Sequence, residues 1–308
     1  MPEPEVLCLG EAMVLVAPAP GERLATARGA ALGVAGAEST VAQYLSDLGH
    51  RTAWASRVGA DPLGERVLAE IARSGVDVGH VERDRSAPTG VYFKDPSPEG
   101  TRVHYYRTGS AASRMTAASL DRLPLSTARL VHLSGVTPAL SDGCAGMSTA
   151  LFERARAAGV SCSFDVNYRA ALWSTRQAAG PLLALARQAD VVFVGLDEAQ
   201  HVWGAETGEQ VRELVGPGVC VVVKNADVGA THFPAGGGPG VFVPASPVEV
   251  VEPVGAGDAF AAGYLSAWLR GAGPADRLGL GHRLAAFALG SVGDHADATA
   301  LRAAEAAR

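Results

Sequence analysis

Lysine is nearly absent. Of the 26 basic residues in this 308-residue chain, only Lys94 and Lys224 are lysine, and neither follows a glycine. A Walker A loop needs Gly-Lys-Ser/Thr, so that way of cradling phosphate is excluded. Cysteine is scarce and scattered, as Cys8, Cys144, Cys162 and Cys220, mostly inside apolar runs. There is no Cys-x-x-Cys, no His-Glu-x-x-His and no Gly-x-Ser-x-Gly, so thioredoxin-like, zinc-protease and hydrolase-elbow designs lack support. Buried reduced thiols in a cytoplasmic protein are the expectation. No uncharged 18-residue apolar run reads as a membrane span. The opening Met1-Pro2-Glu3-Pro4-Glu5 is acidic and broken by proline, unlike a secretory signal. A net charge of −6 argues against a bulk nucleic-acid or anionic-membrane binder.

What is present is a substantial core: 48% of the residues are apolar, against 19% charged. The length allows one large or two ordinary domains. Short apolar runs alternate with helical patterns. Val6–Leu9, Thr52–Val58, Leu130–Ser134, Cys162–Val166, Val191–Val194 and Val219–Val223 read as strands. Ser39–Leu48, Leu63–Ser74, Gly146–Ala158, Ala178–Ala189 and Glu209–Val215 read as helices, the first two stopped by Gly49 and Gly75. This alternation predicts βαβ crossovers and a parallel sheet between helical layers. Two segments break the rhythm. Met13–Val34 is extended. Thr89–Tyr106 reads as a β-hairpin with a long turn at Pro96-Ser97-Pro98-Glu99-Gly100. Strands grafted in this way suit a lid that excludes water from the site it covers. Gly236-Gly237-Gly238-Pro239-Gly240 reads as a loop between two strands.

The chemistry concentrates in Val254-Gly255-Ala256-Gly257-Asp258-Ala259-Phe260-Ala261-Ala262-Gly263, which opens an alanine-rich helix pattern reaching Leu269. Glycines at a helix start let backbone N–H groups approach an anion, and the helix dipole adds positive potential. Asp258, in the first turn, can accept a proton from a hydroxyl. An anion hole beside a base is what phosphoryl transfer to an alcohol requires. A dinucleotide fingerprint fails on spacing, because Phe260 stands where its third glycine would be.

These residues resemble the C-terminal signature of the ribokinase-like (PfkB) sugar kinases. The N-terminal signature is matched by Gly36-Ala37-Glu38-Ser39-Thr40-Val41-Ala42, Leu48-Gly49 and Val58-Gly59-Ala60-Asp61-Pro62-Leu63-Gly64. Within that family the chain is most similar to 2-keto-3-deoxygluconate kinases. That similarity is carried by Gly10-Glu11, Tyr105-Tyr106-Arg107-x-Gly109-Ser110-Ala111, His132-Leu133-Ser134-Gly135-x-x-Pro138-Ala139-Leu140, Asp165-Val166-Asn167-Tyr168-Arg169-x-x-Leu172-Trp173 and Gly293-Asp294-His295.

The resemblance implies an α/β ribokinase-like fold: a three-layer αβα core with a mainly parallel sheet, plus a small β-sheet lid. Residues 1–308 would form a single kinase domain, with the lid built from about 13–35 and 89–107. Asp258 would be the general base, and the amides of Gly255, Ala256 and Gly257 the anion hole. Gly36, Tyr92, Tyr105, Arg107, Arg169 and Asp294 would bind the sugar. Arg107 and Arg169 would grip a carboxylate as two buried guanidinia, which are costly without an anion. Tyr106 would face away from Tyr105, since strand side chains alternate. Lys224, Glu198 and Gly229, with Gly255 and Gly257, would hold the nucleotide, and Glu198 would influence Mg²⁺ indirectly. The implied cofactors are ATP and Mg²⁺, with room for K⁺. The implied partners are a sugar acid and a second copy of the chain through the lid, with no nucleic acid and no membrane. The implied activity is ATP-dependent phosphorylation of the terminal hydroxyl of 2-keto-3-deoxygluconate. The alternatives are a kinase for a neutral sugar such as fructose or ribose, and a catalytically weak sugar-binding homologue. Five departures from the family pattern bear on detail: Ala35, Thr40, Gly195, Ala226 and Glu252.

Overall fold

The computed structural model describes residues 3–19, 21–97, 100–251, 254–291, 293 and 295–299. Glu252 and Asp294, both singled out above, lie outside the described residues. The strands are β1 (Val6–Leu9), β2 (Met13–Pro18), β3 (Ala30–Ala35), β4 (Thr52–Gly59), β5 (Val81–Asp84), β6 (Val91–Ser97), β7 (Gly100–Tyr106), β8 (Leu130–Ser134), β9 (Ser161–Asp165), β10 (Val191–Gly195), β11 (Cys220–Asn225), β12 (Gly229–Phe233) and β13 (Val241–Pro244). The α-helices are α1 (Ala37–Asp47), α2 (Pro62–Arg73), α3 (Asp142–Ala157), α4 (Thr175–Ala186), α5 (Leu196–Trp203), α6 (Gly208–Val215), α7 (Ala256–Leu269) and α8 (Pro274–Leu289).

The large sheet runs β13-β12-β11-β10-β9-β8-β1-β4-β5. From β11 to β5 every neighbouring pair is parallel, and β12 and β13 join antiparallel at one edge. Strand alternation covers both faces. On β1, Leu7 and Leu9 pack into a core shared with Met147, Leu151 and Phe152 of α3. Val6 and Cys8 pack into the opposite core with Val41 of α1 and Phe260 of α7. That two-sided burial is why these strands read as continuous apolar runs. All four cysteines are buried and free.

Local signals start and stop the helices. Asp61 caps α2 by accepting from the Gly64 N–H at 2.8 Å, and Pro62 takes the first helical position. Gly49 and Gly75, at φ 93° and 81°, take the left-handed turn that ends α1 and α2. The Met13–Val34 segment and the hairpin form a separate small sheet, β3-β2-β6-β7, in which β2 pairs antiparallel with β3 and parallel with β6. The hairpin turn is shorter than its sequence suggests. Pro96 pairs with Thr101 and Ser97 with Gly100, so both strands run into the segment read as a turn. Among the described residues no helix is long and apolar enough to cross a membrane.

Candidate active site

The parallel strands deliver their carboxyl ends to one edge of the sheet, where ligands of open α/β sheets bind. Glu11 follows β1 there, Asp165 ends β9, Gly195 ends β10, and Lys224 stands one residue before the end of β11. The N-terminus of α7 faces the same edge. Gly255 caps it at φ 83°, a left-handed conformation that a side chain would strain. The first-turn amides of α7 have no intrahelical acceptor, so they and the helix dipole offer a positive end.

Two cavities meet at this helix start. The first, about 410 Å³, is lined by Glu11, Gly36, Tyr92, Tyr105, Arg107 and Arg169, and by Gly255 and Asp258 of the helix start. The second, about 640 Å³, is lined by Lys224, Ala226, Gly229, Val248 and His282, and by Ala256 and Gly257. Four successive residues, Gly255 to Asp258, therefore form the wall between them. Asp258 is half-buried, and its Oδ1 lies 3.5 Å from Asn167 Nδ2.

On the side of the first cavity, Gly36 caps α1 where a Cβ would lie 2.5 Å from the Glu11 carbonyl oxygen, so the close chain crossing requires glycine. Tyr92 and Tyr105 are cross-strand partners with ring centroids 5.5 Å apart. Tyr106 turns away from the cavity and packs edge-on against Phe93. The expectation of two buried guanidinia needs correction. Arg107 is buried, but it already has an anion: it forms an ion pair with the buried Glu11, whose Oε1 also accepts from Ser110 Oγ at 2.6 Å. Arg169 is exposed, so no burial cost attaches to it. Lys94, which the motifs did not bring forward as a site residue, also lines this cavity.

On the side of the second cavity, Lys224 Nζ lies 2.8 Å from Asp165 Oδ2, and a Cβ on Gly257 would stand 3.6 Å from that ammonium. Burial alone would lower the Lys224 pKa, but the carboxylates of Asp165 and Glu198 outweigh it and hold the ammonium charged. Burial raises the Glu198 carboxyl above its ordinary range, against the opposing pull of Lys224. Glu198 Oε2 also accepts from the Gly195 N–H at 2.9 Å. At Gly195 a Cβ would meet Asp197 Oδ1 at 2.5 Å, so Gly195 leaves room for the side chains of this turn. Gly229 is held at φ 147° with Val243 O only 2.5 Å from where a Cβ would sit. Ala226 adopts φ 42°, a left-handed conformation unusual for alanine. His201 and Trp203 pack: His201 against the Tyr168 ring, and Trp203 by donating its indole N–H to the Ala179 carbonyl.

The match to known proteins extends over the same architecture. The model of the pfkB family carbohydrate kinases matches residues 3–300. The chain belongs to the pfkB family of carbohydrate kinases. It is 36% identical over 267 residues to a 2-dehydro-3-deoxygluconokinase of Bacillus subtilis (strain 168), covering 85% of this chain and 82% of that protein. It is 35% identical over 289 residues to a 2-dehydro-3-deoxygluconokinase of Thermoproteus tenax, covering 88% and 84%. Its fold superposes on the crystal structure of a PfkB protein from Polaromonas sp. JS666 with a TM-score of 0.88, at 35% identity, covering 99% of this chain and 100% of that one. The ribokinase-like architecture and the sugar-kinase class follow from this membership.

Three pfkB residues at this edge escaped the motif reading as site residues. Glu11, Asp165 and Asn167 stood inside quoted motifs, but their contacts join segments far apart in the chain: Glu11 with Arg107, Asp165 with Lys224, Asn167 with Asp258. An acidic or amide residue within two positions of the carboxyl end of a predicted strand was the available signal. Among the described residues no three His, Cys, Asp or Glu side chains gather to hold a metal ion.

Proposed function

We propose that this kinase transfers the γ-phosphoryl group of ATP to the terminal hydroxyl of a 2-keto-3-deoxy sugar acid, with 2-keto-3-deoxygluconate as the preferred acceptor. One observation carries the reading: the start of α7 walls off two cavities, with Asp258 on one side and Gly257 on the other. The sugar occupies the first cavity and the nucleotide the second. Asp258 takes the proton from the acceptor hydroxyl as its oxygen attacks the γ-phosphorus. The bond from that phosphorus to the bridging oxygen breaks, and ADP leaves. The amides of Gly255, Ala256 and Gly257 and the Lys224 ammonium stabilise the charge on the transferring group.

When bound with the nucleotide phosphates, Mg²⁺ would supply charge neutralisation there. Asp165 and Glu198 would act there indirectly, through the Lys224 ammonium that they keep charged. Gly36, Tyr92 and Tyr105 shape the sugar cavity, and Arg169 with Arg107 meets the carboxylate. The small sheet (residues 13–35 and 89–107) serves as a lid on a single kinase unit. Its exposed β7 edge, with Tyr106 exposed beside it, offers a surface for a second copy.

The activity for which the two relatives are named supports the acid acceptor, and so do the three cations lining the first cavity. One observation favours a neutral sugar such as fructose: Glu11 already neutralises Arg107. ADP release with Mg·ATP and 2-keto-3-deoxygluconate, fructose and ribose decides between them. The acid should give the highest kcat/KM, and Arg169→Ala should raise KM for the acid but not for fructose. Equal turnover of fructose and the acid refutes the acidic reading. Asp258→Asn should lower kcat by about 10²–10⁴-fold, the range of a general base. An active Asp258→Asn enzyme refutes that assignment.

A further inference from the structure

We infer that Asp165 is a positioning residue that ties the phosphate-side cation and the base-side amide to one buried carboxylate. The inference rests on the roles proposed for Lys224 and Asp258. Asp165 is only 2% exposed and ends β9, with its backbone locked between β8 and β10. Its two oxygens meet different groups. Oδ2 accepts from Lys224 Nζ at 2.8 Å, and that ammonium lies against Gly257 on the nucleotide side. Oδ1 faces the Asn167 backbone N–H at 3.3 Å.

That second contact falls on an unusual residue. Asn167 adopts φ 37°, the left-handed region that asparagine tolerates better than most residues. In that conformation its side chain reaches back so that Nδ2 stands 3.5 Å from Asp258 Oδ1. The contact is long, as catalytic hydrogen bonds often are before substrate binds. Asn167 Oδ1 is buried with no hydrogen-bond partner, so nothing on the amide's other side holds it. Its backbone contact with Asp165 is the visible constraint on how Nδ2 meets the base.

Asp165 touches neither cavity, so it acts only through Lys224 and Asn167. The Oδ1 contact is a local Asx-type turn, but the Oδ2 contact reaches 59 residues along the chain, so one carboxylate joins the Asn167 turn to Lys224. Held on a strand, it fixes both groups relative to α7 before any ligand enters, which is how a preorganised site keeps its geometry.

The test is a pair of double-mutant cycles on the full chain: Asp165→Asn with Lys224→Met, and Asp165→Asn with Asn167→Ala. Steady-state kinetics is measured with ATP and the best acceptor, and thermal unfolding alongside. Asp165→Asn should raise KM for ATP and lower kcat. The combined loss in kcat/KM should be about 10–100-fold, the range seen when a partner that orients a functional group is removed. The rise in KM for ATP should disappear in the Lys224→Met background, and part of the fall in kcat in the Asn167→Ala background. Losses that multiply independently in both cycles overturn the inference, as does an Asp165→Asn enzyme with wild-type kcat and KM. If Asp165→Asn does not fold, the cycles are run with Asp165→Glu, which keeps the charge but moves it by one methylene; the same independence then refutes the role. A wild-type enzyme that phosphorylates no acceptor, or an active Asp258→Asn enzyme, overturns the underlying reading instead.

Discussion

The ion pair between Glu11 and Arg107 yields the sharpest stability prediction, because its partners come from the two sheets. Glu11 follows β1 of the large sheet, and Arg107 follows β7 of the small one. The Glu11 side chain is 0% exposed and that of Arg107 9%. Glu11→Gln removes the charge but keeps an oxygen for Ser110 Oγ. It leaves the guanidinium buried against the Tyr105 ring, 5.6 Å away, with no counter-charge. Breaking a buried pair typically costs 3–5 kcal/mol. Arg107 borders a cavity that water can enter, so the low end, about 3 kcal/mol, applies here. Arg107→Met should also destabilise. The double variant should fall short of the two losses combined by about 1–3 kcal/mol, since replacing both partners removes the stranded charge. Urea unfolding of the four proteins measures this. The stranded guanidinium should also favour an acidic ligand, so 2-keto-3-deoxygluconate should stabilise Glu11→Gln more than it stabilises the wild type. At 100 times its dissociation constant a ligand adds about 2.7 kcal/mol. A Glu11→Gln protein within about 0.5 kcal/mol of wild type, the scatter of ordinary surface substitutions, with additive singles refutes the reasoning.

Two further expectations follow from strain and burial. Ala226→Gly should stabilise by about 0.5–1 kcal/mol: the left-handed backbone at φ 42° costs a side chain about 1–2 kcal/mol, and glycine's added freedom when unfolded offsets part of that. An unchanged or lowered Tm by calorimetry contradicts it. Burial lowers His132 from 6.5 to about 4, so the unfolded chain protonates it first as pH falls. Its contribution is therefore complete above about pH 6.5 and is lost between there and pH 4, a change on the order of 3 kcal/mol. Urea midpoints for His132→Gln should fall less steeply over that interval than those of the wild type, and parallel slopes refute the assignment.

The core strands were legible because burial on both faces forces continuous apolar runs, as in Val191-Val192-Phe193-Val194. Helix ends were legible where a cap or a stop is local, as at Asp61, Gly49 and Gly75. Strand β5, Val-Glu-Arg-Asp, was not, because an edge strand alternates little and carries charge. Helix α8 was not, because it meets α7, β12 and β13 on several sides and carries glycines, so no single apolar stripe marks it. The close crossing that shapes it is visible only in three dimensions: a Cβ on Gly263 would stand 2.6 Å from the Leu280 carbonyl oxygen.

The site divides along the same line. Gly255 to Asp258 are contiguous, and a helix start with its dipole is a local feature, so the helix start they form was legible directly in the sequence. Charge balance is not local. Reading Arg107 and Arg169 as equivalent buried cations assumed that no protein carboxylate served either of them. Folding supplies Glu11 to Arg107 and leaves Arg169 in solvent, so the two arginines enter binding with different charges to offer. Under the proposed assignment, an incoming carboxylate would compete with Glu11 for Arg107 but not for Arg169. Discrimination between acidic and neutral sugars would then fall on Arg169, with Arg107 contributing donor geometry more than net charge. The same reasoning applies across the helix start, where Asp165 and Glu198 keep Lys224 charged before nucleotide binds. On each side of Asp258 one cation, Arg107 or Lys224, is held by a buried carboxylate, so a net charge of −6 is compatible with the two anionic substrates proposed.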